Sequence, residues 1–326
     1  MSERVKKIAR RALFGSSVVS AAVISSYMTS KLLVDTAIDK EMPKAMNRIK
    51  PIITGRVGDK EFLDELEEKS KWLEAQKNEV IEITAHDGAK LKAHWIPVRH
   101  PKRILIAMHG WRSSWHRDFG TVAESWFAND CSVLFCEQRG QNDSDGEYMG
   151  FGMTERFDVQ DWAKYIEARF GRRVPVYLVG VSMGAATVLM ASGLELPKNV
   201  RGIIADCGFT SPNAVWDHVV KNNLHIGGLG LAHKFADGIF REKTDMDLDD
   251  YSTVDALKTN ELPVFFVHGT KDPLVPVEMT YENYLACHSE KELLIVPGAG
   301  HGMSYYTEPD KYEEMTIEFF KKHDRK

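Results

Sequence analysis

The run Val176-Tyr177-Leu178-Val179-Gly180-Val181-Ser182-Met183-Gly184-Ala185-Ala186-Thr187-Val188-Leu189-Met190-Ala191 decides the fold. Its opening residues are apolar, with valine at both ends, as in a short strand covered on both faces. Its closing residues are apolar and include the helix formers Ala, Leu and Met. Between them Gly180-Val181-Ser182-Met183-Gly184 spans a turn too short for bulky neighbours, which predicts a serine on a tight strand-to-helix elbow. The helix that follows aims its free N–H groups and the positive end of its dipole at that serine, where negative charge develops in acyl transfer. The same five residues without the flanking strand and helix would be an ordinary glycine-rich turn.

On either side of the elbow, apolar runs alternate with helical segments. Val80 to Thr84 and Leu91 to Ile96 flank Asp87-Gly88 and predict a hairpin. Ile104 to Met108, Val133 to Cys136, Gly202 to Ala205, Val264 to Val267 and Leu293 to Val296 are short and nearly continuous, as buried strands are. Helical stretches at Glu155 to Phe170, Met183 to Leu194 and Lys311 to Lys322 separate several of them. The alternation predicts a mostly parallel sheet with helices on both faces.

Four loops add chemistry. His109-Gly110-Trp111 follows the first buried strand, and Glu137-Gln138-Arg139-Gly140 the next. His268-Gly269-Thr270-Lys271-Asp272-Pro273 and Gly298-Ala299-Gly300-His301-Gly302 follow the last two. With the elbow, and in this order, they resemble the α/β-hydrolase superfamily, in its serine esterase, lipase and peptidase branch, from about Glu79 to the C-terminus. The resemblance implies an eight-stranded, mostly parallel sheet and a small helical cap inserted at about residues 207–261. It also implies Ser182 as nucleophile, His301 as base, Asp272 as acid, and the backbone N–H groups of Met183 and Trp111 as oxyanion hole. Glu137 stands where relatives often carry Asp, and Gln141 to Ser144 lacks a second glycine common there.

Each role has a physical reason. A serine hydroxyl cannot attack a carbonyl at neutral pH without a base, and histidine has the best-suited pKa. The imidazolium then needs a carboxylate to hold its tautomer and offset its charge. Asp206, at the end of another strand, is the rival for that place. His109 is read as shaping its loop, and His268 as leading into the acid loop. Arg156 and Asp158 are read as a structural ion pair or helix cap. Val215 to Val220, Ile226 to Leu231 and Phe235 to Phe240 in the cap, with Tyr148, Phe151, Trp111 and Trp115, are candidate walls for an acyl pocket.

The chemistry expected is hydrolysis of a small-molecule carboxylic ester through an acyl-enzyme, with no cofactor and no metal. A serine peptidase or amidase is the nearest alternative, and a non-catalytic, membrane-tethered binding protein is a different class. A net charge of -5 offers no electrostatic case for nucleic acid. Cys131, Cys136, Cys207 and Cys287 show no CxxC spacing, which argues against zinc. Cys131 and Cys136 should point to opposite faces of one strand.

Arg4, Lys6, Lys7, Arg10 and Arg11 precede the uncharged stretch Ala12 to Met28. The pattern predicts a single-pass membrane anchor with the hydrolase domain on the extracytoplasmic side. A cleaved signal peptide, or a helix lying on the domain, would share the pattern. The organisation expected is therefore a basic tail and anchor over 1–34, a helical connector over 35–78 and the hydrolase domain over 79–326.

Overall fold

The computed structural model describes residues 23–46, 60–225 and 230–324. Its strands are β1 (Glu79–Thr84), β2 (Lys90–Ile96), β3 (Arg103–Met108), β4 (Cys131–Cys136), β5 (Val176–Val181), β6 (Val200–Asp206), β7 (Val264–Gly269) and β8 (Lys291–Val296). They form one eight-stranded sheet in the order β1-β2-β4-β3-β5-β6-β7-β8. β1 and β2 pair antiparallel, as do β2 and β4, and the remaining neighbours are parallel.

Every residue of β3, β4 and β7 is buried, because helices cover both faces there. On one face α4 (Glu155–Phe170) and α5 (Met183–Ala191) pack Trp162, Ile166, Val188 and Leu189 against Cys136 and Leu178. On the other, α3 (Trp115–Ala128) and α9 (Pro309–His323) pack Phe119, Trp126, Phe319 and Phe320 against Cys131 and Phe135. The odd separation of Cys131 and Cys136 thus sends them to opposite faces. All four cysteines are buried and free.

A third apolar cluster lies over the carboxyl end of the sheet. Between β6 and β7 the chain forms α6 (Pro212–His218), a π-helical turn (Val219–Asn223), α7 (Gly230–Thr244) and α8 (Thr253–Thr259). Val215, Ile239, Phe240 and Leu248 from this segment pack with Met183, Phe209 and Leu274. Of the apolar run Ile226 to Leu231, residues 226–229 lie outside the described ones.

The N-terminal region corrects the membrane expectation. Residues 12–22 of the supposed anchor lie outside the described residues, but 23–28 open a helix, α1, that runs on to residue 38 through Lys31 and Asp35. Among the described residues no helix is long and apolar enough to cross a membrane. Instead α1 lies on the domain: Val34 and Ile38 are each 1% exposed and join the third cluster. Burial of side chains this size contributes roughly 1.5–3 kcal/mol apiece, so the apolar face has a protein partner. With the anchor goes the inference of an extracytoplasmic catalytic domain. A second helix, α2 (Lys60–Glu74), buries Phe62, Ser70 and Leu73 and leaves most of its charged residues at the surface. It packs so closely on α3 that a Cβ on Gly120 would meet the Lys69 carbonyl at 2.7 Å.

Candidate active site

Ser182 sits between β5 and α5 at φ 55° and ψ -120°, a left-handed φ that a non-glycine residue adopts only under constraint. The flanking glycines make the turn possible. A Cβ on Gly180 would lie 2.2 Å from the Gly184 carbonyl oxygen, and one on Gly184 would lie 1.9 Å from that of Met108. The Ser182 N–H donates to the Asp206 carbonyl at 2.9 Å, tying the elbow to β6.

Loops after β7 and β8 bring two more side chains to this point. Ser182 Oγ lies 2.8 Å from His301 Nε2, and His301 Nδ1 lies 2.6 Å from Asp272 Oδ2. The carboxylate accepts the Nδ1 proton, which leaves Nε2 as the acceptor for the serine hydroxyl. The other oxygen of Asp272 accepts the N–H groups of Leu274 and Val275 at 2.8 and 2.9 Å. The carboxylate is shielded from solvent, while His301 keeps 12% exposure.

Electrostatics follow from that geometry. Burial would raise the Asp272 carboxyl, but the His301 charge and the bonds from His268 and His301 outweigh it and hold it well below the usual range. Burial likewise disfavours the His301 imidazolium, yet the adjacent Asp272 carboxylate raises its pKa well above the ordinary value. Cys207 has its Sγ within 4.8 Å of the nearest Asp272 and His301 ligand atoms. Burial pushes its thiol up to about 11, so it is neutral beside the imidazole.

Asp206 is placed otherwise. Its carboxylate accepts the Ser304 hydroxyl at 2.9 Å, and burial pushes its pKa up to about 6. His301 therefore bonds to Asp272 and not to the rival acid. His268, which the sequence shows only as leading into the acid loop, is itself a partner of the acid. Its Nε2 lies 3.2 Å from Asp272 Oδ2 and 2.9 Å from the Val275 carbonyl, both acceptors, so this nitrogen carries the proton. Its Nδ1 then accepts from Thr280 Oγ1 at 2.6 Å.

Other expectations resolve as packing. Asp158 pairs with Arg139, whose Nε lies 2.6 Å away, and not with Arg156, whose guanidinium stacks 3.6 Å over the Tyr251 ring. Trp115 is core: it stacks on His94 at 4.5 Å and packs tilted against Phe135 at 5.3 Å. His109 is buried and its Nε2 accepts the Gln138 N–H at 3.2 Å, joining the loops after β3 and β4. Glu155, which carried no signal in the sequence, accepts the N–H groups of Gly150 and Gly152 at 2.7 and 2.8 Å and so fixes Phe151 between them.

Two cavities meet at Ser182 and His301. The first has an empty volume of about 720 Å3 including its mouth, and its walls are almost wholly apolar: Trp111, Phe151 and Phe209 face Val215, Trp216 and Leu274. Met183 lines it too. The second is more polar, with Arg117, Asp118 and Thr121 beside Phe62 and Leu66 of α2. The loop at Gly110 borders both the serine and Asp118. A Cβ there would lie 3.3 Å from that of Ser182, and the Gly110 N–H donates to Asp118 at 2.6 Å.

Cys207, Asp272 and His301 form one set of close metal-ligand types, and His86, Asp158 and Asp161 another. In both, the carboxylates already hold bonds to protein cations or imidazoles: Asp272 to His301, Asp158 to Arg139 and Asp161 to His86.

Residues 99–238 match the family model described as serine aminopeptidase, S33. The uncharacterized protein YqkD of Bacillus subtilis is 24% identical over 58% of this chain, which spans only 61% of that relative's length. The uncharacterized protein YfhR of Escherichia coli K12 is 22% identical over 74% of this chain and 80% of its own. Among solved structures, the Pyrococcus furiosus esterase Pf2001 superposes with a TM-score of 0.61 at 21% identity, covering 76% of this chain and 93% of that one. Est1E of Butyrivibrio proteoclasticus, with ferulic acid bound, gives 0.58 at 20% identity, covering 76% and 100%. The chain has the α/β-hydrolase fold, and the matches support a hydrolase.

Proposed function

We propose that the protein is a serine hydrolase that cleaves carboxylic esters through an acyl-enzyme. The observation that carries this reading is the chain Ser182 Oγ, His301 Nε2 and Nδ1, Asp272 Oδ2, with links of 2.8 and 2.6 Å, opening onto an apolar chamber. As Ser182 Oγ bonds to the carbonyl carbon, its proton passes to His301 Nε2. The backbone N–H groups of Met183 and Trp111 stabilise the oxyanion. Collapse breaks the bond to the alkoxide, which leaves as an alcohol with the proton from His301. Water, giving a proton to His301, then attacks the acyl carbon. The carboxylic acid departs and Ser182 recovers its proton.

A peptidase or amidase is the second reading, favoured by the match to the serine aminopeptidase model. An aminopeptidase must hold a free ammonium group, and a carboxylate in the acyl chamber would do so. The described residues lining that chamber include no Asp or Glu. Asp118 lines the other cavity, where it accepts the Gly110 N–H and the Ser113 hydroxyl. A panel of matched chromogenic esters and aminoacyl amides tests the reading. Ester turnover with amides at least about 100-fold slower is expected, and the reverse order would establish the peptidase. No turnover of either, with no covalent labelling by a fluorophosphonate, would favour a binding protein.

A further inference from the structure

We propose that α1, the helix over residues 23–38, is part of the substrate site, where it closes the chamber beside Ser182 into a binding site for an uncharged aliphatic acyl chain. The proposal rests on the ester-hydrolase reading and names the acyl class. The helix lies outside the segment matched by the family model, residues 99–238.

Two faces of α1 do different things. Val34 and Ile38, four residues apart, are buried against the domain. Leu33, Thr36 and Ala37 line the chamber opposite Val215, Trp216 and Val219 of the cap. A side chain entering between them meets carbon on both sides, and no Asp, Glu, Lys or Arg is among the described residues that line the chamber. A charged acyl group would lose its hydration there without a partner, whereas an aliphatic one gains from burial.

The helix is held in place from both walls. Its carboxyl end presents carbonyls that Arg112 caps: Nη2 donates to Thr36 O at 2.8 Å and to Asp39 O at 2.5 Å, and Nη1 to Lys40 O at 3.1 Å. A guanidinium at this end also complements the helix dipole. Trp111 Nε1 donates to Ala37 O at 2.7 Å, so the loop that follows His109-Gly110 grips the helix directly. From the other side Lys243 of α7 bridges Asp35 and Asp39 at 2.7 and 2.6 Å. The Met149 N–H donates to Ile38 O at 2.8 Å. Contacts of this number from three separate segments make α1 a fixed wall.

The test uses the full-length chain and p-nitrophenyl esters from acetate to decanoate. Each methylene that enters the chamber should raise kcat/KM by about fourfold until the chamber is full. Leu33→Trp and Ala37→Leu, which fill it, should lower the ratio of octanoate to acetate kcat/KM at least about tenfold. Leu33→Ala, which enlarges it, should move the optimum to a longer chain. Leu63→Trp on the surface of α2 is the control and should leave the ratio as it is. Calorimetric binding of octanoate keeps the test independent of turnover. Binding lost in Leu33→Trp while no ester is cleaved would overturn the ester reading and leave the acyl site standing. An unaltered chain-length ratio in all three α1 variants, or equal octanoate binding by wild type and Leu33→Trp, would overturn the proposal.

Discussion

His268 stands beneath Asp272, its Nε2 3.2 Å from the same carboxylate oxygen that His301 Nδ1 approaches to 2.6 Å. One oxygen thus serves two imidazoles, and the second is held in turn by Thr280 and the Val275 carbonyl. His268 is a positioning residue in this arrangement. His268→Ala should remove one of the bonds that orient Asp272, whose other oxygen stays on the Leu274 and Val275 N–H groups, and lower kcat by about 10-fold, with KM little changed. A purely structural role would lower the melting temperature and leave the kcat of the folded fraction alone. Active-site titration beside steady-state kinetics separates the two.

The pH profile carries the charge of Asp272. His301 is active when neutral, and the carboxylate raises its pKa well above the usual value. The acid limb of kcat/KM should therefore lie above about 6.5, the ordinary histidine value, with activity rising as pH rises through it. In Asp272→Asn the stabilising charge is gone, so the limb should move to lower pH. A limb that stays in place in this variant would show that the carboxylate does not act on His301.

Turnover should separate the two acids. Asp272→Asn should cost about 10²- to 10⁴-fold in kcat, because the amide can no longer stabilise the imidazolium. Asp206→Asn should cost far less. Its carboxyl is already raised to about 6, and its partner is the Ser304 hydroxyl, with which an amide can also bond. Kinetics on both variants, with folding checked by circular dichroism, decides between them. A large loss in the Asp206 variant beside a nearly active Asp272 variant would reverse the assignment.

The elbow itself should tolerate almost no added bulk. Gly184→Ala places a methyl group 1.9 Å from the Met108 carbonyl oxygen, in rigid backbone on both sides. Destabilisation of about 4 kcal/mol or more is expected. Denaturant unfolding measures it, and a loss under about 1 kcal/mol would contradict the packing described.

Much of this was legible in the residues, for identifiable reasons. β3, β4 and β7 are covered on both faces, so they appear as nearly continuous apolar runs, and the loops after β7 and β8 carry the Asp272 and His301 that meet at Ser182. What hydropathy could not distinguish was the partner of an apolar helix face. Ile24 and Met28 are exposed while Val34 and Ile38 are buried, and the same residues would serve in lipid or against a protein core. The decisive contacts, Arg112 and Trp111 reaching the carbonyls of α1, join segments more than 70 residues apart. Trp115 was equally ambiguous, since an aromatic after the His109 loop can line a pocket or fill a core. The partner of Asp158 is 19 residues away, not two, because Arg139 and Asp158 come together only when β4 and α4 pack.

The central claim is that Ser182 is the nucleophile, and its most direct measurement is the mass of the protein after treatment with a fluorophosphonate. One adduct per chain is predicted, on the peptide that contains Ser182. Ser182→Ala should remain unlabelled and folded and lose about 10⁴-fold or more in ester turnover. An adduct on another residue, or a Ser182→Ala variant that still turns over ester at the wild-type rate, would contradict the account.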